Sequence, residues 1–143
     1  MSKFLDINEL VIDDQDCFVA TLREDVTFNH ALGVPVEVHE VATNLFGYLG
    51  DMRPEKAEII IRQEYVGGSS NDLGFKRTEI GFKPIISEFD SHQYNAAWQD
   101  TVSQRYAERK YEANMFQQGF GLQSKTVNTD GTTSMEFAQI GGF

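Results

Sequence analysis

The chain has 143 residues, of which 41% are hydrophobic and 12% aromatic (11 Phe, 5 Tyr and 1 Trp). That is room for one domain with a packed core, 1–143, and it excludes a disordered chain. Twelve basic residues against 22 acidic ones give a formal charge of −10, a field that repels a phosphate backbone and excludes ordinary nucleic-acid binding.

Residues 1–58 hold 12 acids and 4 bases, a net of −8, whereas residues 59–143 hold 10 acids and 8 bases, a net of −2. No apolar run approaches the roughly 20 residues that span a bilayer, so no membrane partner is expected. The start, MSKFLDINEL, has no apolar h-region of a secretory signal. A single cysteine, Cys17, excludes an internal disulfide and a cysteine-based zinc site, and fits a reducing cytoplasm.

In chain order, residues 1–12 read as a short strand or a turn into a helix. In 13–29, Phe18, Leu22 and Val26 recur every four residues, which is helical spacing. Asp13, Asp14 and Asp16 lie at its N-terminus, where the macrodipole favours negative charge. Gly33 and Pro35 end it, and VPVEVHEV (34–41) alternates Val36, Val38 and Val41 against Glu37, His39 and Glu40, the pattern of a half-buried strand. TNLFGYLGDMRPEK (43–56) reads as a loop with exposed aromatics Phe46 and Tyr48. AEIIIRQEYV (57–66) reads as a central strand, followed by the turn cluster GGSSND (67–72).

LGFKRTEIGFKPIISEF (73–89) is one long or two short strands, with Pro84 marking an edge, a bulge or a break. Residues 95–118 predict a long helix. Asn95 caps it, Trp98, Val102, Tyr106, Ala113 and Phe116 form its stripe, and Gly119 ends it. Asp130-Gly131 between two β-prone runs, 121–128 and 132–140, predicts a hairpin. Strand runs broken by isolated helices imply an α+β fold. The expected form is a single antiparallel sheet with two helices on one face, loosely ferredoxin-like.

Several short segments carry a family resemblance: Asp72-Leu73-Gly74-Phe75, then Gln104-Arg105-Tyr106-Ala107, then Gln118-Gly119-Phe120, and the final Asp130-Gly131 hairpin. On these the chain resembles a small family of unknown function found in cyanobacteria and, as a hypothetical chloroplast reading frame, in algal plastids, with phage-borne relatives. The resemblance covers about residues 57–140. It departs where the family carries an aspartate- and tryptophan-rich segment before the long helix, since EFDSHQYNAAW keeps only Asp90 and Trp98. It implies a fold and brings no catalytic residues.

Little in the sequence points to catalysis. His30, His39 and His92 have no ligand spacing, and Asp13-Asp14-Gln15-Asp16 lacks the glycine and terminal glutamate of a calcium loop. Cys17 beside the Phe18–Leu22 stripe reads as a small buried hydrophobe. No Gly-x-Ser-x-Gly elbow is present, and the Gly67-Gly68-Ser69-Ser70 turn lacks a phosphate-loop lysine. No metal, cofactor or catalytic residue is expected, and whether the protein is an enzyme stays open, with the balance against.

Two functions from different classes remain. The first is a binding module that recognises another protein, a basic one, through a sheet face or the acidic N-terminal region. Asp13, Asp14, Asp16, Phe46 and Tyr48 would make the contact, and in a phage setting such a module would suit an inhibitor of a host protein. The second is a binder of, or an enzyme acting on, a small anionic metabolite or nucleotide held by Arg105, Tyr106, Arg109, Lys76 and Arg77, because Arg forks match carboxylate and phosphate oxygens. The alternative for Arg105 is an ion pair with Glu108 or Glu112, with Tyr106 in the core and its hydroxyl at the rim. The oligomeric state is left open.

Overall fold

The computed structural model describes residues 11–28 and 33–141; the readings for residues 1–10 and for His30 lie outside them. Helix α1 spans Gln15–Arg23, and Asp14 caps it by accepting from the Cys17 amide at 3.1 Å. Phe18 and Leu22 are buried as their spacing predicts. The helix is shorter than predicted, however. A 3₁₀ turn at Val26–Phe28 follows, so Val26 is thrown outward at 90% exposure and Phe28 enters the core in its place.

Strands β1 (Glu37–Phe46), β2 (Met52–Ile61), β3 (Leu73–Thr78) and β4 (Gly81–Ile85) form an antiparallel sheet in the order β1-β2-β3-β4. Such a meander lacks the crossovers of a ferredoxin-like sheet, and the likeness extends only to helices on one face. The class is α+β. Residues 43–56 are not a loop: Phe46 pairs with Met52, and only residues 47–51 turn, closed by the Gly47 amide on Asp51 O at 2.8 Å. Nor is 57–66 all strand, since a one-turn helix α2 occupies Gln63–Val66.

The expected face of β1 also differs. Val38 and Val41 are exposed while Glu37 is half-buried. The Glu37 carboxylate is drawn in by Arg62, and the register slips between Val38 and Thr43. Pro84 sits on edge strand β4 opposite Phe75, where its missing N–H costs no ladder bond.

Helix α3 spans Ala96–Gln117, with Asn95 accepting from the Trp98 amide at 3.0 Å and Gly119 adopting φ +90° just past its end. Trp98, Val102 and Tyr106 pack with Phe18 and Leu22 of α1 against Ile59, Ile61, Phe75 and Phe82. The core is thus an aromatic cluster between two helices and one face of the sheet. Phe18 meets Phe75 edge-on at 4.8 Å and Tyr94 meets Trp98 edge-on at 4.9 Å. The predicted stripe stops there. Ala113 and Phe116 are exposed because α3, roughly 33 Å long, overhangs the sheet.

On that overhang sits a separate hairpin, β5 (Phe120–Val127) and β6 (Thr133–Gln139), so the single predicted sheet is two. Buried Glu108 anchors it. Burial works against the Glu108 charge, but hydrogen bonds from Thr133, Arg105 and Lys125 outweigh it and hold its carboxyl below the usual range. Gln104 adds a bond to Gly131 O at 2.8 Å, and Tyr111 meets Phe137 edge-on at 5.5 Å.

The far half of the β1–β2 hairpin folds across the helix-free face of the sheet. There Leu45, Ala57 and Ile60 make a second small core joined by Ile85. Gly74 lies beneath it, and a Cβ there would stand 2.8 Å from the Ala57 Cβ and 3.0 Å from the Leu45 side chain. Gly74→Ala is therefore expected to destabilise the protein by about 1–3 kcal/mol through overpacking, read as a lower urea midpoint. An unchanged midpoint would mean that the hairpin does not press on β3.

Candidate functional site

Where the hairpin crosses the sheet it leaves a groove of about 660 Å³, within the size range of ligand sites. Leu45, Ile85 and Ile86 supply its apolar surface, and Tyr48 and Phe89 stand at the rim, 57% and 60% exposed. Glu55 and Glu88 line it with Arg53, whose charge is shared with Asp51 at 3.5 Å and Glu55 at 4.0 Å.

The walls are held by two buried carboxylates. Asp72 accepts from the Phe46 amide, the Gln63 amide and Arg62 Nη1, each at 2.8 Å, while its own amide donates to Phe46 O at 2.9 Å. Asp90 accepts from the Asn71 amide at 3.0 Å and from Ser87 Oγ at 2.8 Å. Asn71 in turn accepts from the Tyr48 amide and donates to Ser87 Oγ. Loop 69–72, the hairpin turn and segment 85–90 are therefore one bonded frame, which fixes the groove before anything enters it.

Arg62 extends the frame to the start of β1, binding both oxygens of Glu37, with Nε on Oε2 at 2.5 Å and Nη2 on Oε1 at 2.7 Å. That pairing raises the Arg62 pKa and holds the Glu37 carboxyl below its ordinary range. The Arg62 guanidinium also covers the Phe46 ring at 5.8 Å, so Phe46 is half-buried rather than exposed.

Of the predicted partner-contacting residues, Phe46 and Tyr48 lie on the groove, and the acids do not. Asp14 is committed to capping α1 and to Lys110 at 3.1 Å, and both bonds lower its pKa. Asp13 and Asp16 are exposed beside it. Tyr106 is buried, with its hydroxyl accepting from the Asp14 amide at 3.0 Å and pointing at Asp13.

The predicted anion-holding bases do not converge. Arg77 binds Gln15 at the start of α1 and covers Phe82, and Lys76 stands opposite Lys83 in the sheet. Arg109 pairs with Glu24 beyond the other end of α1, roughly 13 Å away by helix rise. Arg105 binds both oxygens of Glu108 at 2.9 Å. Lys125 joins Arg105 and Arg109 in a second cleft of about 660 Å³, but Glu24, Asp25 and Glu112 line it too. Trp98 borders that cleft, and its buried indole N–H has no partner among the described residues.

Burial and the Asp14 charge push the Cys17 thiol up, leaving it protonated and poorly nucleophilic at neutral pH. Among the described residues no three His, Cys, Asp or Glu side chains stand close enough to hold a metal ion, and no helix is long and apolar enough to cross a membrane. The sequence reading did not single out Asn71, Ser87 or Phe89. The Ser87-x-x-Asp90 spacing, a serine three residues before a carboxylate at a short helical turn, is the signal that would have marked the frame.

Because Glu37 titrates lower when folded, its pairing stabilises the protein above the unfolded glutamate value and is lost as pH falls through the folded one. From about pH 6 down through 4.5 and below, the stability advantage of wild type over Glu37→Gln should shrink in urea titrations. A constant gap would mean that Arg62 does not hold this carboxylate in solution.

No curated protein and no solved structure matches the chain. Residues 30–135, which take in the whole groove and its frame, match the family described as protein of unknown function (DUF1257). The chain belongs to that family.

Proposed function

We propose that the protein is a binding module that takes an apolar-centred, basic-flanked segment of another protein into the groove beneath the β1–β2 hairpin. The observation that carries this reading is the pair of exposed rings, Tyr48 and Phe89, over an apolar surface whose frame is already fully bonded. Exposed aromatic anchors beside a preformed apolar pocket are the usual energetic centre of a protein interface.

Charge selects the partner. Asp51, Glu55 and Glu88 outnumber Arg53 around the rim, in a chain of net charge −10. Lysine or arginine flanking the inserted segment would be steered in and held there. In a phage setting the same surface suits an inhibitor of a basic host protein. The anion-binding reading is less favoured, because Arg105, Arg109 and Lys125 each already face a carboxylate.

The test places a photo-crosslinking phenylalanine analogue at position 89, with a control at exposed Val127, in source-cell lysate. The expected result is a crosslink from position 89 to an apolar segment flanked by Lys or Arg, reduced at high salt and lost in Tyr48→Ala. Crosslinks no stronger than at position 127, or acidic crosslinked segments, would overturn the reading.

A further inference from the structure

Arg53 is the one base among the described residues that line the groove beneath the β1–β2 hairpin. It stands at the entry to β2 between Asp51 and Glu55, and residues two apart along an extended chain project to the same side. Its guanidinium spans both carboxylates without seating on either, with Nη1 3.5 Å from Asp51 Oδ2 and Nε 4.0 Å from Glu55 Oε2. Arg62 behaves differently. It meets the two oxygens of Glu37 at 2.5 and 2.7 Å and Asp72 at 2.8 Å.

The backbone under the Arg53 head group is fixed, while the head group is not. The Arg53 carbonyl accepts from Asn44 Nδ2 across the hairpin at 2.8 Å, and the Gly47 amide closes the turn on Asp51 O. The side chains of Asp51, Arg53 and Glu55 are all about half exposed. Exposed pairs at such distances hold little free energy against water, so a second cation carried in by a bound segment can displace Arg53 at small cost.

We infer that Arg53 determines which segments the groove accepts, by standing where the partner's lysine or arginine binds and competing with it for Asp51 and Glu55. The inference rests on the partner-groove reading above. With Arg53 in place, the hairpin side of the rim presents two acids already shared with one base. A basic segment gains both carboxylates only by ejecting Arg53. A segment without flanking bases has no use for them. Arg53 therefore lowers the affinity for basic segments and leaves that for neutral ones unchanged, which sets the margin between the two.

Two labelled synthetic peptides test this by fluorescence anisotropy at low salt with the full chain. Both carry a Leu-Leu-Phe centre, one flanked on each side by paired lysines and the other by paired glutamines. The expected result is that wild type prefers the lysine peptide and that Arg53→Gln tightens it further by about threefold, with the glutamine peptide unchanged. Arg53→Ala should do the same if Arg53→Gln folds poorly, and Arg53→Lys, which keeps the competing charge, should bind as wild type does. Arg23→Gln removes an exposed base from α1, on the other face of the sheet. It alters the net charge equally and should shift the lysine peptide less, which separates competition at the rim from the field of the whole chain. A wild type with no preference for the lysine peptide would overturn the partner-groove reading and this inference with it. A wild type that has the preference, but whose affinity rises no more in Arg53→Gln than in Arg23→Gln, would overturn this inference alone.

Discussion

The Asp72 carboxylate, its side chain 1% exposed, takes three hydrogen bonds, one from the end of β1 and two from the neighbouring residues Arg62 and Gln63. Its partners are the end of β1, the turn into α2 and the Arg62 guanidinium. A buried charge is tolerated only when paired and fully bonded, and removing one partner of such a set costs about 3–5 kcal/mol. The arrangement decides where the β1–β2 hairpin goes. With Phe46 fixed by both its amide and its carbonyl, Leu45 lies over Gly74, and the hairpin covers the face of the sheet that no helix covers. The groove is the space left between that hairpin and segment 85–89.

The parts legible in the sequence were those set by local chemistry. Asn95 and Gly119 bracket α3 as their side-chain and backbone preferences dictate, and Asp130-Gly131 turns the last hairpin. What escaped was set by distant partners. Residues 43–56 hold two glycines and a proline, yet all but the 47–51 turn is strand, because Phe46 is bonded to a residue 26 positions away. Val38 and Val41 face outward because Glu37 follows Arg62 inward. The one-turn helix α2 was hidden by the Ile59–Ile61 run before it, whose three side chains are buried in two cores on opposite faces of the sheet. Tyr48 was legible as an aromatic in a polar stretch, whereas Phe89 has no periodic neighbours to mark it.

Acid enrichment has two separate consequences. Asp72, Asp90 and Glu108 are buried and bonded, and each fastens one part of the chain to another: hairpin to sheet, loop 69–72 to segment 87–90, and β5–β6 to α3. The remaining acids among the described residues are largely exposed and set the field around the molecule. Under the proposed function, that field is what steers a basic partner to the groove.

Residue-resolved amide hydrogen exchange on wild type and Asp72→Asn tests the central role of Asp72 most directly. The account predicts a Phe46 amide protected nearly as well as those of Ile59–Ile61 in wild type. In the variant, exchange should accelerate at Phe46 and Tyr48 while Ile59–Ile61 stay slow. A Phe46 amide that exchanges freely in wild type, or is untouched by the substitution, would contradict it.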